Sequence, residues 1–140
     1  MVVVAAFAPS SQGDASLLAA ISEVCFSHRD LVVASHAFVD PDEGLRTADE
    51  REVLSALGRV ASRLPERERA YLETLDVKVI TSRSRDTGEF LLDTVRATKA
   101  GLLVIALRHS SPVSRLSLGH SVRRVILGAT CPIFIAKDES

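Results

Sequence analysis

The sequence predicts a doubly wound α/β fold, in which five parallel strands form one sheet with helices on both faces. Five short apolar runs are separated by segments whose apolar residues recur at helical spacing. The runs are almost continuously apolar, which is typical of strands buried on both faces of a sheet. We expect the strand order 3-2-1-4-5, with the fifth strand at an edge.

The first half of the chain supplies two strands and a helix between them. The first strand is predicted at Val2–Phe7, and the following helix has an apolar face that includes Leu17 and Ile21. The second strand is predicted at Leu31–His36. The segment Asp40–Arg46 is rich in charged and turn-forming residues, so we expect it to be a polar loop.

Two pairs of residues at capping-box spacing mark the next helices. Thr47 and Glu50 have this spacing ahead of a second helix, which Pro65 should interrupt because proline lacks a backbone donor. Asp86 and Glu89 repeat the spacing ahead of a third helix. Both helices would cover strands of the predicted sheet.

The remaining three strands are predicted at Val77–Ile80, Leu102–Ala106 and Ile133–Ala136. A polar loop over residues 108–112 follows the fourth strand. A helix comes next, and Gly128 should end it shortly before the fifth strand.

Composition indicates one compact domain over residues 1–140. The formal net charge is -1 and the isoelectric point is near 6.4, so the chain has no basic excess that would favour nucleic acid. Cys25 and Cys131 have no partner at metal-ligand spacing, and we expect reduced thiols and no metal site. The apolar run at residues 2–7 is too short for a secretory signal, and no stretch could cross a bilayer. We therefore expect a cytoplasmic protein without a membrane partner.

The C-terminal third carries a family resemblance. The loop after the fourth strand, the pair Leu118–Gly119, the helix and the segment Cys131–Ile133 together resemble the signature of the universal stress protein family. In that family a Gly-x2-Gly-x9-Gly-Ser/Thr loop binds the phosphates of ATP. The resemblance extends over essentially the whole chain, and it implies the family's adenine-nucleotide-hydrolase-like fold.

The resemblance also predicts that ATP binds weakly or not at all. The family's three glycines and its hydroxyl correspond to Ala106, His109, Gly119 and His120, so one glycine is retained. A Cβ atom, and above all an imidazole ring, narrows the space in which backbone amides approach a phosphate. ATP-binding members also carry an aspartate at the end of the first strand, where this chain has Phe7 and Ala8.

Ligands of doubly wound sheets bind beyond the carboxyl ends of the strands, here between the first and fourth strands. Four segments should form such a site: Ala8–Gln12, Ala37–Val39, Thr81–Arg85 and Leu107–Ser111. The candidate cofactor-binding residues are Ala8, Pro9, Phe38, Val39, Ala106, Arg108, His109, Ser110, Ser111, Gly119, His120 and Ser121. We expect no catalytic residue.

Two roles are open for these residues. Phe38 or Val39 could pack on a base, or could simply pack at a strand end. Arg108 and the hydroxyls and imidazoles after it could hold a phosphate-type anion near a helix start, or could form a solvated loop that caps the helix.

Three functions remain compatible with the sequence. The first is a stress-protein-type regulator that works as a homodimer and binds ATP weakly or not at all. The second is a sensor of an adenine nucleotide such as ATP or AMP, or of an anion, through residues 106–121. The third is a weak phosphohydrolase. The dimer is expected to form through residues 132–136, because this apolar, uncharged strand would otherwise leave backbone groups unpaired at an open edge.

Overall fold

The structure is a computed structural model, and it describes residues 1–108 and 120–138. No helix in those two ranges is long and apolar enough to cross a bilayer. The described elements, in chain order, are β1 (Val2–Phe7), α1 (Ser11–Ser27), β2 (Asp30–Ser35), β3 (Ala37–Asp40), β4 (Gly44–Thr47), α2 (Glu50–Ala61), α3 (Glu66–Thr74), β5 (Lys78–Thr81), α4 (Thr87–Thr98), β6 (Leu102–Arg108), α5 (His120–Gly128) and β7 (Ile133–Asp138).

The main sheet has the order β5-β2-β1-β6-β7, and its neighbouring strands are all parallel. This confirms the predicted doubly wound fold and the predicted order 3-2-1-4-5. At the centre of the sheet, Val4 pairs with Val32 of β2 on one side and with Leu103 of β6 on the other. The first strand has its predicted bounds, Val2–Phe7. The bounds of the other four strands differ from the predicted ones by one or two residues, because the ends of strands depend on pairing rather than on local apolar content.

The alternation of side chains along β1 divides the core into two layers. Val3, Ala5 and Phe7 face α1 and α2, while Val4 and Ala6 face α4 and α5. The first layer also buries Leu17, Ile21, Val24, Val53, Leu57 and Val60, and the second buries Leu91, Val95, Leu103, Ile105 and Val125. Helices on both faces explain why the strands have no polar face.

The expectation of a polar loop over Asp40–Arg46 is wrong. The chain instead forms an antiparallel hairpin of β3 and β4 directly after β2, and Phe38 pairs with Arg46. Gly44 adopts a left-handed φ of 74°, which suits the tight connection between the two strands. The hairpin projects from the carboxyl end of β2.

The capping box of α2 is shifted by two residues from the predicted pair of Thr47 and Glu50. Asp49 is the N-cap, and its side chain accepts from the backbone N–H of Glu52 at 2.9 Å. The carboxylate of Glu52 in turn accepts from the backbone N–H of Asp49 at 3.4 Å. Thr47 belongs to β4, because strand pairing takes precedence over its capping preference.

Both cysteines are free thiols in the described structure, as expected. Cys25 is buried on α1 and Cys131 is half-buried ahead of β7. Burial raises the pKa of the Cys131 thiol, because desolvation disfavours the thiolate. Neither environment favours a reactive cysteine.

Candidate functional site

A cleft opens at the carboxyl ends of β1, β2 and β6. Here the crossover helices change from one face of the sheet to the other, and ligands of doubly wound sheets bind at this point. The cleft has a volume of about 540 Å³, a size typical of small-molecule sites. Its described lining residues are Ala6, Ala8, Pro9, Ser10, Gln12, Gly13, His36, Phe38, Val39, Thr87, Leu91, Ile105, Ala106, Leu107, Ser121, Val122 and Val125.

One wall is the turn between β1 and α1. Ser10 is the N-cap of α1, and its hydroxyl accepts from the backbone N–H of Gly13 at 3.1 Å. Gly13 lies so close to the Ala8 carbonyl oxygen and the Phe7 ring that a Cβ atom would overlap them. Glycine therefore allows the turn to fold tightly over the end of β1. Ala8 is buried, and it brings no carboxylate to this end of the strand.

A second wall is the β3–β4 hairpin. Phe38 and Val39 both line the cleft, and the side chain of Val39 is 76% exposed. The guanidinium carbon of Arg46 lies 4.7 Å from the centre of the Phe38 ring, within the range of a cation–π interaction. The hairpin therefore presents a restrained aromatic ring beside an accessible aliphatic side chain.

Arg46 is itself held by carboxylates on both sides of the hairpin. Its Nε donates to Asp40 at 2.8 Å and its Nη1 donates to Glu52 at 2.8 Å. The hydrogen bond from Arg46 holds the pKa of Asp40 below its usual value, and the backbone N–H of Asp42 contributes in the same direction. Because the pairs are partly exposed, their main effect is to orient Arg46 rather than to stabilise the whole fold.

His36 lies at the carboxyl end of β2 and lines the cleft. Its backbone N–H donates to the Phe7 carbonyl at 2.9 Å, which fixes its position beside β1. Its ring Nδ1 lies 3.0 Å from the Ala37 carbonyl oxygen. Burial lowers the pKa of His36 below the ordinary 6.5, because desolvation of the imidazolium outweighs the opposing effect of the Ala37 hydrogen bond.

The opposite side of the cleft is formed by the end of β6 and the starts of α4 and α5. Thr87 is the first residue of α4 and Ser121 is the second residue of α5, so both hydroxyls lie at helix N-termini. Gly88 brings the two helices together, since a Cβ there would lie 3.3 Å from the Ser121 carbonyl oxygen. Arg124 reinforces this contact by donating to Asp86 at 2.9 Å.

The described lining of the cleft carries no aspartate, glutamate, lysine or arginine side chain. Its polar side chains are those of Ser10, Gln12, His36, Thr87 and Ser121. Such a surface suits a neutral, partly apolar group such as a base or a sugar. Within the described residues it places no formal positive charge opposite the phosphates of a nucleotide, so this part of the site adds no ionic contact to their binding.

Six of the predicted site residues line the cleft together: Ala8, Pro9, Phe38, Val39, Ala106 and Ser121. His120 opens α5 and is exposed, and it does not line the cleft. Arg108 is the last residue of β6. The remaining candidates, His109, Ser110, Ser111 and Gly119, lie outside the described residues.

Two features of the site differ from the sequence-based expectation. The predicted segment Thr81–Arg85 does not line the cleft, because β5 is separated from β1 by β2, and Thr87 of α4 lines it instead. His36 was not among the candidates. The sequence signal for His36 was that a polar residue directly follows a buried strand. No helical or strand periodicity distinguishes such a residue from other loop residues.

A family model described as the universal stress protein family matches residues 2–137. No curated protein matches the chain at a significant level. The model covers nearly the whole chain, including all the elements that form the cleft.

Solved structures of the same family have this fold. The universal stress protein from Archaeoglobus fulgidus is 21% identical, with a TM-score of 0.66, and the alignment covers 98% of this chain and 93% of that one. A complex of the universal stress protein from the same organism with dAMP is 20% identical, with a TM-score of 0.59 and coverages of 97% and 96%. A universal stress protein in complex with cAMP is 18% identical, with a TM-score of 0.64 and coverages of 99% and 98%.

Proposed function

Because this chain belongs to the universal stress protein family, we propose that it is a stress-response regulator that works as a homodimer and binds ATP weakly or not at all. The observation that carries the second half of this proposal is that the described part of the cleft lining carries no formally charged side chain. Ala8 and Ala106 also support weak ATP binding, because they occupy positions at which the family resemblance predicts an aspartate and a glycine.

Calorimetric titration with ATP tests the nucleotide half of the proposal. We expect a dissociation constant weaker than about 1 μM, which corresponds to a binding free energy less favourable than roughly -8.2 kcal/mol. AMP and adenosine serve as matched ligands that carry the same ring with fewer phosphates. If ATP binds with a dissociation constant at or below about 1 μM and more tightly than both, the phosphates make strong contacts and the proposal is wrong.

The proposed dimer interface is the edge strand β7. Among the described strands β7 pairs with β6 alone, and its Phe134 and Ile135 are 43% and 39% exposed. An edge that combines open backbone groups with apolar side chains favours association with a second copy. Antiparallel pairing across a two-fold axis would satisfy the backbone and cover both side chains.

Light scattering of the Ile135→Lys variant tests the dimer. The unmodified protein should have a mass of about 30 kDa, twice the 15.1 kDa of one chain, and the variant should be a monomer. Leu54→Lys is the matched control, because Leu54 is 49% exposed on α2, which packs beside β5 at the other end of the sheet. A monomeric unmodified protein, or equal dissociation of both variants, would contradict this interface.

The second candidate is a sensor of an adenine nucleotide or of a phosphate-type anion, using residues 106–121. It is favoured by the cleft itself, in which Phe38 and Val39 face a cavity large enough for a nucleoside, and by the family members that were solved with cAMP and dAMP. A mass spectrum of the protein as purified would identify a bound ligand. Phosphate release from ATP would separate a weak phosphohydrolase from both candidates.

A further inference from the structure

The imidazole of His36 has a defined hydrogen-bonding pattern in the cleft. Its Nδ1 lies 3.0 Å from the Ala37 carbonyl oxygen, which can only accept a hydrogen bond. Nδ1 therefore carries the hydrogen. Since burial disfavours the imidazolium, the ring is neutral at pH 7 and above, and the lone pair lies on Nε2.

The Nε2 atom of His36 is open to the cleft. No hydrogen bond joins it to any described residue, and in that part of the chain every fully enclosed polar side-chain atom has a partner. Nε2 is therefore neither bonded nor enclosed. His36 is one of the residues that line the cleft, which places this acceptor beside the space that a ligand would occupy.

The other polar side chains of the described lining cannot select a donor in the same way. The Ser10 hydroxyl is already used, since it accepts from Gly13 and donates to the Ala8 carbonyl. The carboxamide of Gln12 and the hydroxyls of Thr87 and Ser121 rotate, and each can both donate and accept. Nε2 of His36 is different because its tautomer allows it only to accept.

We propose that His36 Nε2 accepts a hydrogen bond from the ligand, and that it thereby selects a neutral planar ring bearing an N–H donor, as in adenosine, over the same ring without that donor. The inference deepens the sensor candidate and rests on it, because it assumes that the cleft takes up an adenine-type ring. Phe38 supplies an aromatic surface for such a ring, and the part of the lining that the structure describes carries no formally charged side chain.

Calorimetric titration with adenosine and with purine riboside, which lacks the 6-amino group, tests this selection at pH 7.5. We expect the unmodified protein to bind adenosine about tenfold more tightly, since a hydrogen bond to a fixed, desolvated acceptor contributes about that factor. His36→Leu should bind the two nucleosides equally. His36→Gln should restore part of the preference, because its amide oxygen can accept.

Nitrogen NMR of the unmodified protein gives a second measurement that does not depend on any variant folding. The Nε2 resonance of His36 should begin in the range of an unprotonated imidazole nitrogen and should move when adenosine is added, and it should move much less with purine riboside. Equal affinities in the unmodified protein, a preference that persists in a folded His36→Leu variant, or an unmoved resonance would overturn the role of His36 and leave the sensor candidate standing. Failure of both nucleosides to bind would overturn the role of His36 together with the adenine-nucleotide form of the sensor candidate.

Discussion

Gly13 connects the shape of the cleft to the packing of the core. It lies in the first turn of α1, beside the Ala8 carbonyl oxygen. A Cβ atom added to it would lie 3.0 Å from the Phe7 ring. One neighbour is backbone and the other is a fully buried ring, so neither can move away cheaply. The identity of this residue is therefore set by the close approach of the turn to the end of β1.

We predict that Gly13→Ala lowers the free energy of unfolding by about 1–3 kcal/mol, as expected for overpacking against a fixed neighbour. Gly58→Ala is the matched control. Gly58 lies exposed on α2 with nothing within 4 Å of an added Cβ, so the change should raise the free energy of unfolding by about 0.5–1 kcal/mol. Urea denaturation measures both values. Equal effects would show that the turn can relax around the methyl group.

The β3–β4 hairpin and the cap of α2 are elements that local sequence patterns did not predict. The hairpin segment lacks the apolar alternation of a half-buried strand, and it is held instead by Arg46, which reaches Asp40 and Glu52. These contacts join residues six apart in either direction along the chain, so no helical or strand period reveals them. His36 was missed for a similar reason, because its role depends on the Phe7 and Ala37 carbonyls.

Asp49→Ala should lower the free energy of unfolding by about 1 kcal/mol, because it removes the side-chain acceptor at the N-cap of α2. Asp49→Asn should have a much smaller effect, since asparagine is an equally good N-cap residue. Thermal or urea unfolding of the two variants checks the difference. If both lose the same stability, the charge of Asp49 and not its capping hydrogen bond is responsible.

The fold of the whole molecule could be predicted from the sequence more completely than the individual elements and side chains. Apolar runs such as Val2–Phe7 and Leu102–Ala106 identify strands covered on both faces, and the alternation of these runs with helices leads directly to the observed strand order. The same topology places the cleft at the switch point between β1 and β6. The topology does not determine which side chains project into the cleft, because small shifts of a turn or of the hairpin change this set of side chains.

Val104→Asp should lower the free energy of unfolding by several kcal/mol, which is the scale for an unpaired buried charge. Val104 is 0% exposed, and its cluster joins β6 to α1 and α2. Val39→Asp introduces the same side chain at a position that is 76% exposed, and should change stability by no more than about 1 kcal/mol. Urea denaturation compares the two. A Val104→Asp variant that unfolds like the original protein would contradict the buried central layer.

The carboxylate of Glu52 makes two connections at once, because it accepts from the Asp49 backbone in the cap of α2 and from Arg46 in the hairpin. When the first turn of α2 frays, Arg46 loses one of its three carboxylate partners, and the Phe38 ring beside it loses part of its restraint. The helix start and the hairpin should therefore open together as one small cooperative unit, well below the free energy of global unfolding. In hydrogen exchange their amides would share one opening free energy, and the aromatic wall of the cleft would lose part of its restraint each time that helical turn opens.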